Sequence, residues 1–404
     1  GNSNGNVAIG TFALDAAAEN DRNVAIGYSA MGAADDGEDG NVVIGYSAMN
    51  AANNAANDYN VIIGFEAGQG GNGGPYFTDR WYCYSGGASA GRFTATQEAI
   101  TDLSGFTTAL KLDCTTADTS IGADEQLSLI QAVEAQNLQH LKFGTSDAVQ
   151  LTYSFYAKAN AAKTYIAELY APDVSAKSQS HAFNVTTSWQ RFEITFSATG
   201  ANAVTINNDN GVGLYVNINL HAGSNLTSGT INSTWAAATQ ANRMVGCGSF
   251  YSSTDNTFFM TGAQLEIGNL ASPFEHDADI GTTLAKCQRY LYRRNFEIYD
   301  VVCQGAALGN KGSYCLHLPV AMRAKPACSQ GSGIYCWYNQ PGSITTQTGL
   351  AVTYMGANDT NMTQAFIRAD DNSTAASATN YPLGLTSYDS SGTNSTFIQL
   401  DAEL

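Results

Sequence analysis

The feature that most constrains this chain is a short repeat at its start. The pattern Asn-Val-x-Ile-Gly begins at Asn6, Asn23, Asn41 and Asn60, at spacings of 17, 18 and 19 residues. Because side chains alternate along a strand, the Val and Ile of each copy share one face. The glycine that follows permits a turn in which a side chain would be strained. One such coil cannot bury an apolar face alone, so coils stack, and we predict a parallel β-roll over residues 1–70.

The residue between Val and Ile changes along the repeats. It is Ala8 in the first copy, then Ala25, Val43 and Ile62. If Val and Ile point into the coil, alternation predicts that these middle residues point outward. The outward face then becomes more apolar along the chain, and a monomer gains nothing by exposing such a face. We therefore expect symmetric copies to cover it, most simply in a homotrimer.

Composition narrows the fold class and the partners. Of the 404 residues, 44% are hydrophobic and only 13% are charged, with 40 glycines, which favours an all-β chain with tight turns. The formal net charge of −17 opposes binding to phosphate backbones, so nucleic acid is not an expected partner. No apolar run is long enough to span a bilayer, so no membrane insertion is expected. The first residues also lack the pattern of a signal peptide.

Beyond the repeats, a glycine-rich segment at residues 68–75 marks a domain boundary. Runs of alternating apolar and polar residues follow, and they predict a jelly-roll β-sandwich over residues 71–283. Residues 123–141 do not alternate, which leaves a helix open there. A short neck helix is predicted over residues 284–295, and a C-terminal β-sandwich-like head over residues 296–404.

Two stretches carry a resemblance to known families. The N-terminal repeats resemble the head repeats of trimeric autotransporter adhesins and the β-roll repeats of phage tail fibres. Residues 261–268, 271–275 and 284–290 are similar to a run that recurs in phage tail-fibre proteins. In those proteins the run closes a jelly roll similar to carbohydrate-binding modules and leads into a distal head. Trp189 and Trp235 stand upstream, where such jelly rolls often carry tryptophans.

The resemblance implies a function as well as a fold. It predicts one subunit of a homotrimeric phage tail fibre or spike, located in the virion and assembled in the host cytoplasm. Such a subunit attaches to other tail proteins through its N-terminal end and binds bacterial surface polysaccharide or lipopolysaccharide without catalysis. Two alternatives stay open. One is a polysaccharide-depolymerising spike, which needs two carboxyl groups about 5 to 9.5 Å apart, and the other is a bacterial trimeric surface adhesin.

The resemblance places the receptor-binding surface in the C-terminal head, with the jelly roll as a second candidate. Sugars present apolar C–H faces that stack on aromatic rings, and amide side chains satisfy their hydroxyls. One predicted strand of the head places Tyr335 and Trp337 on one face and Tyr338 on the other. Asn339 and Gln340 follow directly. We predict that these five residues bind ligand, and the alternative that Trp337 belongs to the core stays open.

No catalytic residue, metal site or cofactor is predicted. Ser89 lies in a Gly-x-Ser-x-Gly pattern, but hydrolases place that serine between a buried strand and a helix, whereas a flexible loop is expected here. Residues 35–39 and 207–211 are oxygen-rich candidates for structural calcium. Neither has the helix-flanked twelve-residue pattern, so solvated turns are the favoured interpretation. The five histidines are scattered without metal-ligand spacing and are expected to be isolated.

The cysteines give a prediction of their own. Eight are present, and none forms a Cys-x-x-Cys pair. Free thiols are the expected state of a protein assembled in a reducing cytoplasm. A disulfide among the cysteines between residues 287 and 336 is left open.

Overall fold

The chain folds mainly into β-strands and divides into two units, Gly1–Glu275 and His276–Leu404. The predicted all-β fold class is confirmed. The structure is a computed structural model, and it describes residues 4–15, 21–32, 39–44, 61–63, 76–78, 81–87, 89–275, 279–295, 301–308, 311–324, 326–330, 334–338, 344–346, 350–354, 362–369, 382–387 and 397–402.

The described part of the first unit consists mainly of strands, with a few short helical segments. The strands are β1 (Val7–Ile9), β2 (Val24–Ile26), β3 (Val42–Ile44), β4 (Val61–Ile63), β5 (Tyr76–Thr78), β6 (Trp81–Gly86), β7 (Arg92–Ala99), β8 (Thr108–Thr116), β9 (Gln126–Glu134), β10 (Leu151–Ala159), β11 (Lys163–Ala171), β12 (Lys177–Val185), β13 (Gln190–Phe196), β14 (Val212–Ala222), β15 (Ala236–Ala237) and β16 (Thr257–Ile267). The helices are α1 (Ser224–Thr227) and the 3₁₀ segments Ala135–Leu141, Ala201–Ala203, Gln240–Asn242 and Phe250–Ser252.

The N-terminal repeats form the predicted parallel β-roll. Strands β1 to β4 pair in sequence order, and equivalent repeat positions are aligned, as Val24 is with Val42. Gly10 and Gly27 end their strands with φ of 131° and 134°, a conformation that side chains disfavour. A Cβ on Gly10 would lie 2.4 Å from the carbonyl oxygen of Gly27. The coils therefore stack at this distance only because glycine occupies the position.

The predicted orientation of the repeat is wrong. Ala25 and Val43, the middle residues of their repeats, are fully buried inside the roll, whereas Val24, Ile26 and Val42 beside them are half-buried. The interior of so short a coil is narrow, so it takes the single middle side chain and leaves Val and Ile outside. The side chain of Ile62 lies outside the described part of the chain. The trimer argument from the middle residues fails, and the outward apolar surface is the Val–Ile face.

Asparagine side chains complete the interior of the roll. Asn23 and Asn41 are fully buried, and each backbone N–H donates to the side-chain oxygen of the preceding repeat's asparagine. These distances are 2.8 Å from Asn23 to Asn6 and 2.7 Å from Asn41 to Asn23. The repeated asparagine thus pairs backbone groups that the turns would leave unsatisfied. Ala30, which follows the second repeat, is also fully buried in the interior of the roll.

The rest of the first unit is a sandwich of two antiparallel sheets. One sheet has the order β13-β10-β16-β8-β7, and the other has the order β15-β12-β11-β14-β9-β6-β5. The chain crosses repeatedly from one sheet to the other, as in a jelly roll, and the predicted jelly roll is confirmed. Alternate residues point between the sheets into one apolar core. Its large rings include Tyr153, Phe155, Tyr165, Phe196 and Phe258.

The segment left open as a helix is mostly a strand. Strand β9 pairs with both β14 and β6, and the 3₁₀ segment Ala135–Leu141 follows it. The strand is buried on both sides, with Leu127 and Leu129 in the core and Ser128 on the other face. Two-sided burial removes the clean alternation by which a strand is recognised in sequence.

The second unit begins with helix α2 (Ile280–Gln288), and the N-cap Asp279 accepts hydrogen bonds from two backbone N–H groups of its first turn. The helix therefore differs from the predicted neck helix over residues 284–295. Residues 291–295 form a strand instead, with Tyr290 and Tyr292 both buried. Two aromatic residues two positions apart share a face in a strand but not in a helix, which explains the early end.

The second unit is otherwise made of strands. They are β17 (Leu291–Asn295), β18 (Val301–Leu308), β19 (Lys311–Met322), β20 (Ala327–Gln330), β21 (Ile334–Tyr338), β22 (Ile344–Thr346), β23 (Leu350–Tyr354), β24 (Met362–Ala369), β25 (Pro382–Ser387) and β26 (Phe397–Asp401). They form sheets of order β17-β26-β20 and β22-β21-β25-β18-β19-β24-β23. None of the helices in the described ranges reaches the length and apolarity that crossing a bilayer requires.

Candidate functional site

The predicted ligand-binding residues of the head fall in and just after strand β21. Tyr335, Trp337 and Tyr338 belong to this strand, which pairs with β22 on one side and β25 on the other. Asn339 and Gln340 lie outside the described residues. The strand is confirmed at the backbone level, and the binding role of these five residues stays a prediction.

The jelly roll presents a second candidate on the outer side of its seven-stranded sheet. Tyr165, Ala167 and Leu169 of β11 point into the core. Glu168 and Tyr170, which alternate with them along the strand, therefore point outward. The pairing of β11 with β14 brings Asn217 beside Glu168 and Tyr215 beside Tyr170. We name this surface the tyrosine face. It comprises Tyr84, Glu168, Tyr170, Tyr215, Asn217, Asn219 and Arg243.

Glu168 is the centre of the tyrosine face. Its side chain is fully buried, and it accepts two hydrogen bonds from Arg243, from Nε at 2.7 Å and from Nη2 at 2.8 Å. Asn217 Nδ2 donates to the same carboxylate at 2.9 Å, and Asn219 Nδ2 does so at 3.4 Å. Burial opposes the charge of Arg243, but Glu168 more than compensates and raises the pKa of Arg243. The guanidinium of Arg243 is therefore held in its charged form.

A chain of hydrogen bonds fixes this carboxylate from behind. Gln126 Nε2 donates to Ser128 Oγ at 2.7 Å, and Ser128 Oγ donates to Asn219 Oδ1 at 2.5 Å. Since Asn219 in turn donates to Glu168, the donors run in one direction toward the buried charge. A network of this kind is satisfied only in one arrangement, which gives the face a defined geometry.

Aromatic rings surround the ion pair. The guanidinium of Arg243 lies 4.5 Å from the centre of the Tyr170 ring, and Tyr170 lies 6.0 Å from Tyr215. Tyr84 is 45% exposed. A Cβ on Gly86 would lie 2.7 Å from the Tyr84 hydroxyl and 2.8 Å from its ring, so the hydroxyl end of the ring packs against this glycine. The exposed part of the ring is available for stacking.

Two polar groups of the tyrosine face are not used within the described structure. Arg243 bonds Glu168 through Nε and Nη2, and its Nη1 makes no hydrogen bond to a described residue. Asn217 Oδ1 is buried without a hydrogen-bond partner. An unsatisfied buried acceptor costs about 1–3 kcal/mol, and this one lies too deep for a ligand to reach. The face therefore offers a ligand the exposed part of the Tyr84 ring and one spare donor, Arg243 Nη1.

The outer side of the five-stranded sheet also carries aromatic residues. We name it the tryptophan face, after Trp189, which lies with Phe259, Lys158 and Asp102. Asp102 accepts hydrogen bonds from Trp189 Nε1 at 2.9 Å and from Lys158 Nζ. The bond from Lys158, with that from Trp189, holds the pKa of Asp102 below its usual value. Lys158 Nζ lies 5.0 Å from the centres of both rings. The polar groups here pair with one another.

His221 was expected to be isolated, and that expectation is wrong. Its side chain is fully buried, with Nδ1 2.9 Å from Ser249 Oγ and Nε2 3.0 Å from Glu125 Oε2. Burial lowers the pKa of His221, although Glu125 opposes that shift. Serine, histidine and carboxylate in this order also form hydrolytic triads. Here the imidazole has no exposed surface and is a weakened base, which suits it to joining the loop at Ser249 to strand β14.

Other singled-out residues also have defined partners. Ser89 Oγ donates to Asp118 at 3.1 Å and accepts from the backbone N–H of Gly91 at 3.1 Å. Asp209 accepts from the N–H of Gly211 at 2.9 Å, which closes a turn within residues 207–211. Residues 35–38 lie outside the described residues.

The expected free thiols and the two upstream tryptophans have mixed outcomes. Cys83, Cys114, Cys247 and Cys328 are free thiols, and burial raises the pKa of each. Trp235 is 5% exposed and belongs to the core, so it is not a surface residue for ligand. Trp189 lies on the tryptophan face.

The sequence carried a signal for Glu168 that the pattern analysis missed. Glu168 interrupts an apolar run on β11, and Asn217 and Asn219 alternate with Val216 and Ile218 on β14. Amide and carboxylate groups on central strands need partners if they are buried. Arg243 lies 75 residues from Glu168, in a loop, so no local pattern could have joined them.

Comparisons with known proteins return similarity of structure alone. No protein-family model and no curated protein sequence matches the chain. A family 11 carbohydrate-binding module from Clostridium thermocellum, in complex with a β-1,3-1,4-mixed-linked tetrasaccharide, aligns at 12% identity and a TM-score of 0.26, over 48% of this chain and 92% of its own. The CBM22-1 xylan-binding domain from Paenibacillus barcinonensis aligns at 11% identity and a TM-score of 0.24, over 47% of this chain and 87% of its own. The enzymatically active domain of bacteriophage CBA120 tailspike protein 4 aligns at 12% identity and a TM-score of 0.26, over 46% of this chain and 19% of its own.

Proposed function

We propose that this chain is a non-catalytic subunit of a phage tail fibre or spike, and that it binds a bacterial surface glycan through the tyrosine face. The observation that carries the proposal is the Glu168–Arg243 pair, held by hydrogen bonds near the partly exposed ring of Tyr84. Rigid polar groups next to an aromatic platform match a ligand with hydroxyls on its edge and C–H groups on its face.

The charge of the tyrosine face favours the same ligand class. The positive charge of Arg243 is neutralised by Glu168, so the face has no unpaired charge to attract an anionic polymer. The spare group, Arg243 Nη1, supplies one donor to a hydroxyl-rich partner. A single site of this kind binds weakly, because most of its donors are already used within the protein.

A homotrimer is the second part of the proposal, since linked sites raise the apparent affinity without new contacts. Exposed apolar residues in the first coil of the β-roll supply its basis. Val7, Ile9 and Phe12 are 44%, 57% and 51% exposed, and Ala8 between Val7 and Ile9 is exposed as well. An apolar stripe of this kind is expected to be covered by symmetric copies. Light scattering should give about three times the 42.6 kDa of one chain, and a monomer mass at micromolar concentration would contradict the trimer.

A glycan array tests the binding function, and a reducing-end assay on the same glycans tests the absence of cleavage. We expect the wild-type protein to retain specific glycans and to release no reducing ends. Tyr84→Ala should lose the retained glycans, while Trp189→Ala, a matched aromatic truncation on the opposite sheet, should keep them. Loss of binding in Trp189→Ala alone would move the site to the tryptophan face. Retention by both variants would leave the head as the binding region.

A further inference from the structure

A pocket of about 400 Å³ lies between the two sheets of the jelly roll. Trp81 and Leu129 line it from the seven-stranded sheet, and Leu110 and Met260 line it from the five-stranded sheet. These four side chains belong to the apolar core or pack against it. The pocket is therefore separate from the tyrosine face, which lies on the outer side of the seven-stranded sheet.

The pocket exists because two strands diverge. Strand β16 pairs with β8 only as far as Met260, which lies opposite Leu110. Gly262 then has a φ of +60°, and a Cβ there would lie 2.7 Å from the ring of Phe106. The pairing of β16 with β10 shifts register near this point, as expected for a bulge. A bulge kept in place by glycine turns the strand away and leaves the space between the sheets unfilled.

The lining determines what the pocket can hold. None of its lining residues, all of them within the described ranges, carries a charge, so the desolvation of a charged ligand would go uncompensated. The floor is apolar, with Leu129 fully buried and Met260 5% exposed. Polar groups stand nearer the rim, where Gln97 is exposed and Thr261 Oγ1 donates to the carbonyl of Thr108 at 3.1 Å. A matching ligand is neutral, apolar at one end and hydroxylated at the other.

We propose that this pocket binds a neutral, methyl-bearing sugar residue, either a 6-deoxyhexose or an N-acetylhexosamine. The methyl group packs on Leu110 and Met260, the sugar ring lies against Trp81, and the hydroxyls reach Gln97 and the rim threonines. A volume of about 400 Å³ is within the range of small-molecule sites. The proposal concerns a site distinct from the tyrosine face and does not require the proposed function of that face.

The test is saturation-transfer NMR and calorimetry on the full chain, with methyl glycosides as probes. The probes are a 6-deoxyhexose, its parent hexose, an N-acetylhexosamine and a hexuronic acid. We expect one methyl-bearing sugar to bind at least tenfold more tightly than the parent hexose, and the uronic acid not to bind. Which of the two methyl-bearing sugars binds identifies the source of the methyl group. Equal binding of the deoxy sugar, the acetamido sugar and the parent hexose would overturn the proposal.

Three variants locate the binding. Ala263→Phe places a ring in the pocket at a half-buried position and should abolish binding. Gln97→Ala, at an exposed position, should weaken it several-fold, and this second variant keeps the test decisive if Ala263→Phe does not fold. Tyr84→Ala should leave monosaccharide binding unchanged. If Tyr84→Ala abolishes binding and both pocket variants retain it, the pocket proposal is wrong while the proposed function of the tyrosine face stands.

Discussion

The two outer faces of the jelly roll use similar residues in different ways. On the tyrosine face, the carboxylate of Glu168 is fully buried and holds Arg243 from below, so the free edge of the guanidinium is left for a partner. On the tryptophan face, Asp102 has a half-exposed side chain and holds both Lys158 and Trp189. An aromatic residue beside an ion pair is therefore not enough to indicate a binding site. What distinguishes the faces is whether polar groups are left over once the internal pairs are made.

The largest expected difference between the faces is in stability. Arg243→Met leaves the buried charge of Glu168 without a partner, and we expect a loss of about 3–5 kcal/mol in the free energy of unfolding. Urea unfolding followed by circular dichroism would measure it. Lys158→Met, the matched change on the tryptophan face, should have a much smaller effect because exposed ion pairs contribute little.

A double variant sharpens this result. Glu168→Leu combined with Arg243→Met removes both charges and should recover much of the stability that Arg243→Met loses, because no buried charge remains unpaired. If the double variant is as unstable as the single one, the cost arises from lost packing. The contrast between buried and exposed pairs would then not explain the difference between the faces.

The second expected difference is in ligand binding. Tyr84→Ala removes the ring and should weaken glycan binding at least tenfold, about 1.4 kcal/mol, with a small change in melting temperature because the side chain is partly exposed and lies outside the core. Tyr84→Phe keeps the ring and should retain most of the affinity. Trp189→Ala serves as the control on the opposite sheet. Titration calorimetry with an array-selected glycan measures all three, and a greater loss in Trp189→Ala would reverse the assignment of the faces.

The smallest expected effect is on the pH dependence of stability. Burial lowers the pKa of His221 in the folded state, so below its ordinary pKa near 6.5 the unfolded chain binds a proton that the folded chain does not. Stability should therefore be full above that pH and fall between about pH 6.5 and the lower folded pKa. His221→Asn should have a lower melting temperature at pH 7.5 but a shallower decline toward pH 5.5. Parallel curves for the two proteins would show that His221 does not carry the dependence.

Much of the fold could be predicted from sequence, because periodic patterns report local structure directly. The repeat of asparagine and glycine predicted the parallel roll, and alternating strands predicted the jelly roll. The direction of the side chains in the roll was wrong for a physical reason. Val24 and Ile26 outweigh Ala25 in hydrophobicity, yet the middle residue is the buried one, and Val43 is buried at the same position of the next repeat. A strand of three residues has room for one inward side chain, so the position in the strand decides the orientation.

The candidate site was less predictable, because its parts come together only in the folded chain. Glu168 and Asn217 meet through strand pairing, and Arg243 reaches them from a loop 75 residues beyond Glu168. The position of the Tyr84 ring depends on the missing side chain of Gly86. None of these relations has a fixed spacing, so a sequence pattern cannot reveal them. The aromatic run of strand β21, in contrast, was visible in sequence, and its role in binding stays a prediction.

The most direct test of the central claim is a crystal structure of the protein with an array-selected oligosaccharide bound. We predict electron density for a sugar ring stacked on the exposed side of Tyr84, with a hydroxyl within hydrogen-bonding distance of Arg243 Nη1. Density for the oligosaccharide on Trp189 and Phe259 only, or on the strand that carries Tyr335 and Trp337, would contradict the assignment of the glycan site to the tyrosine face.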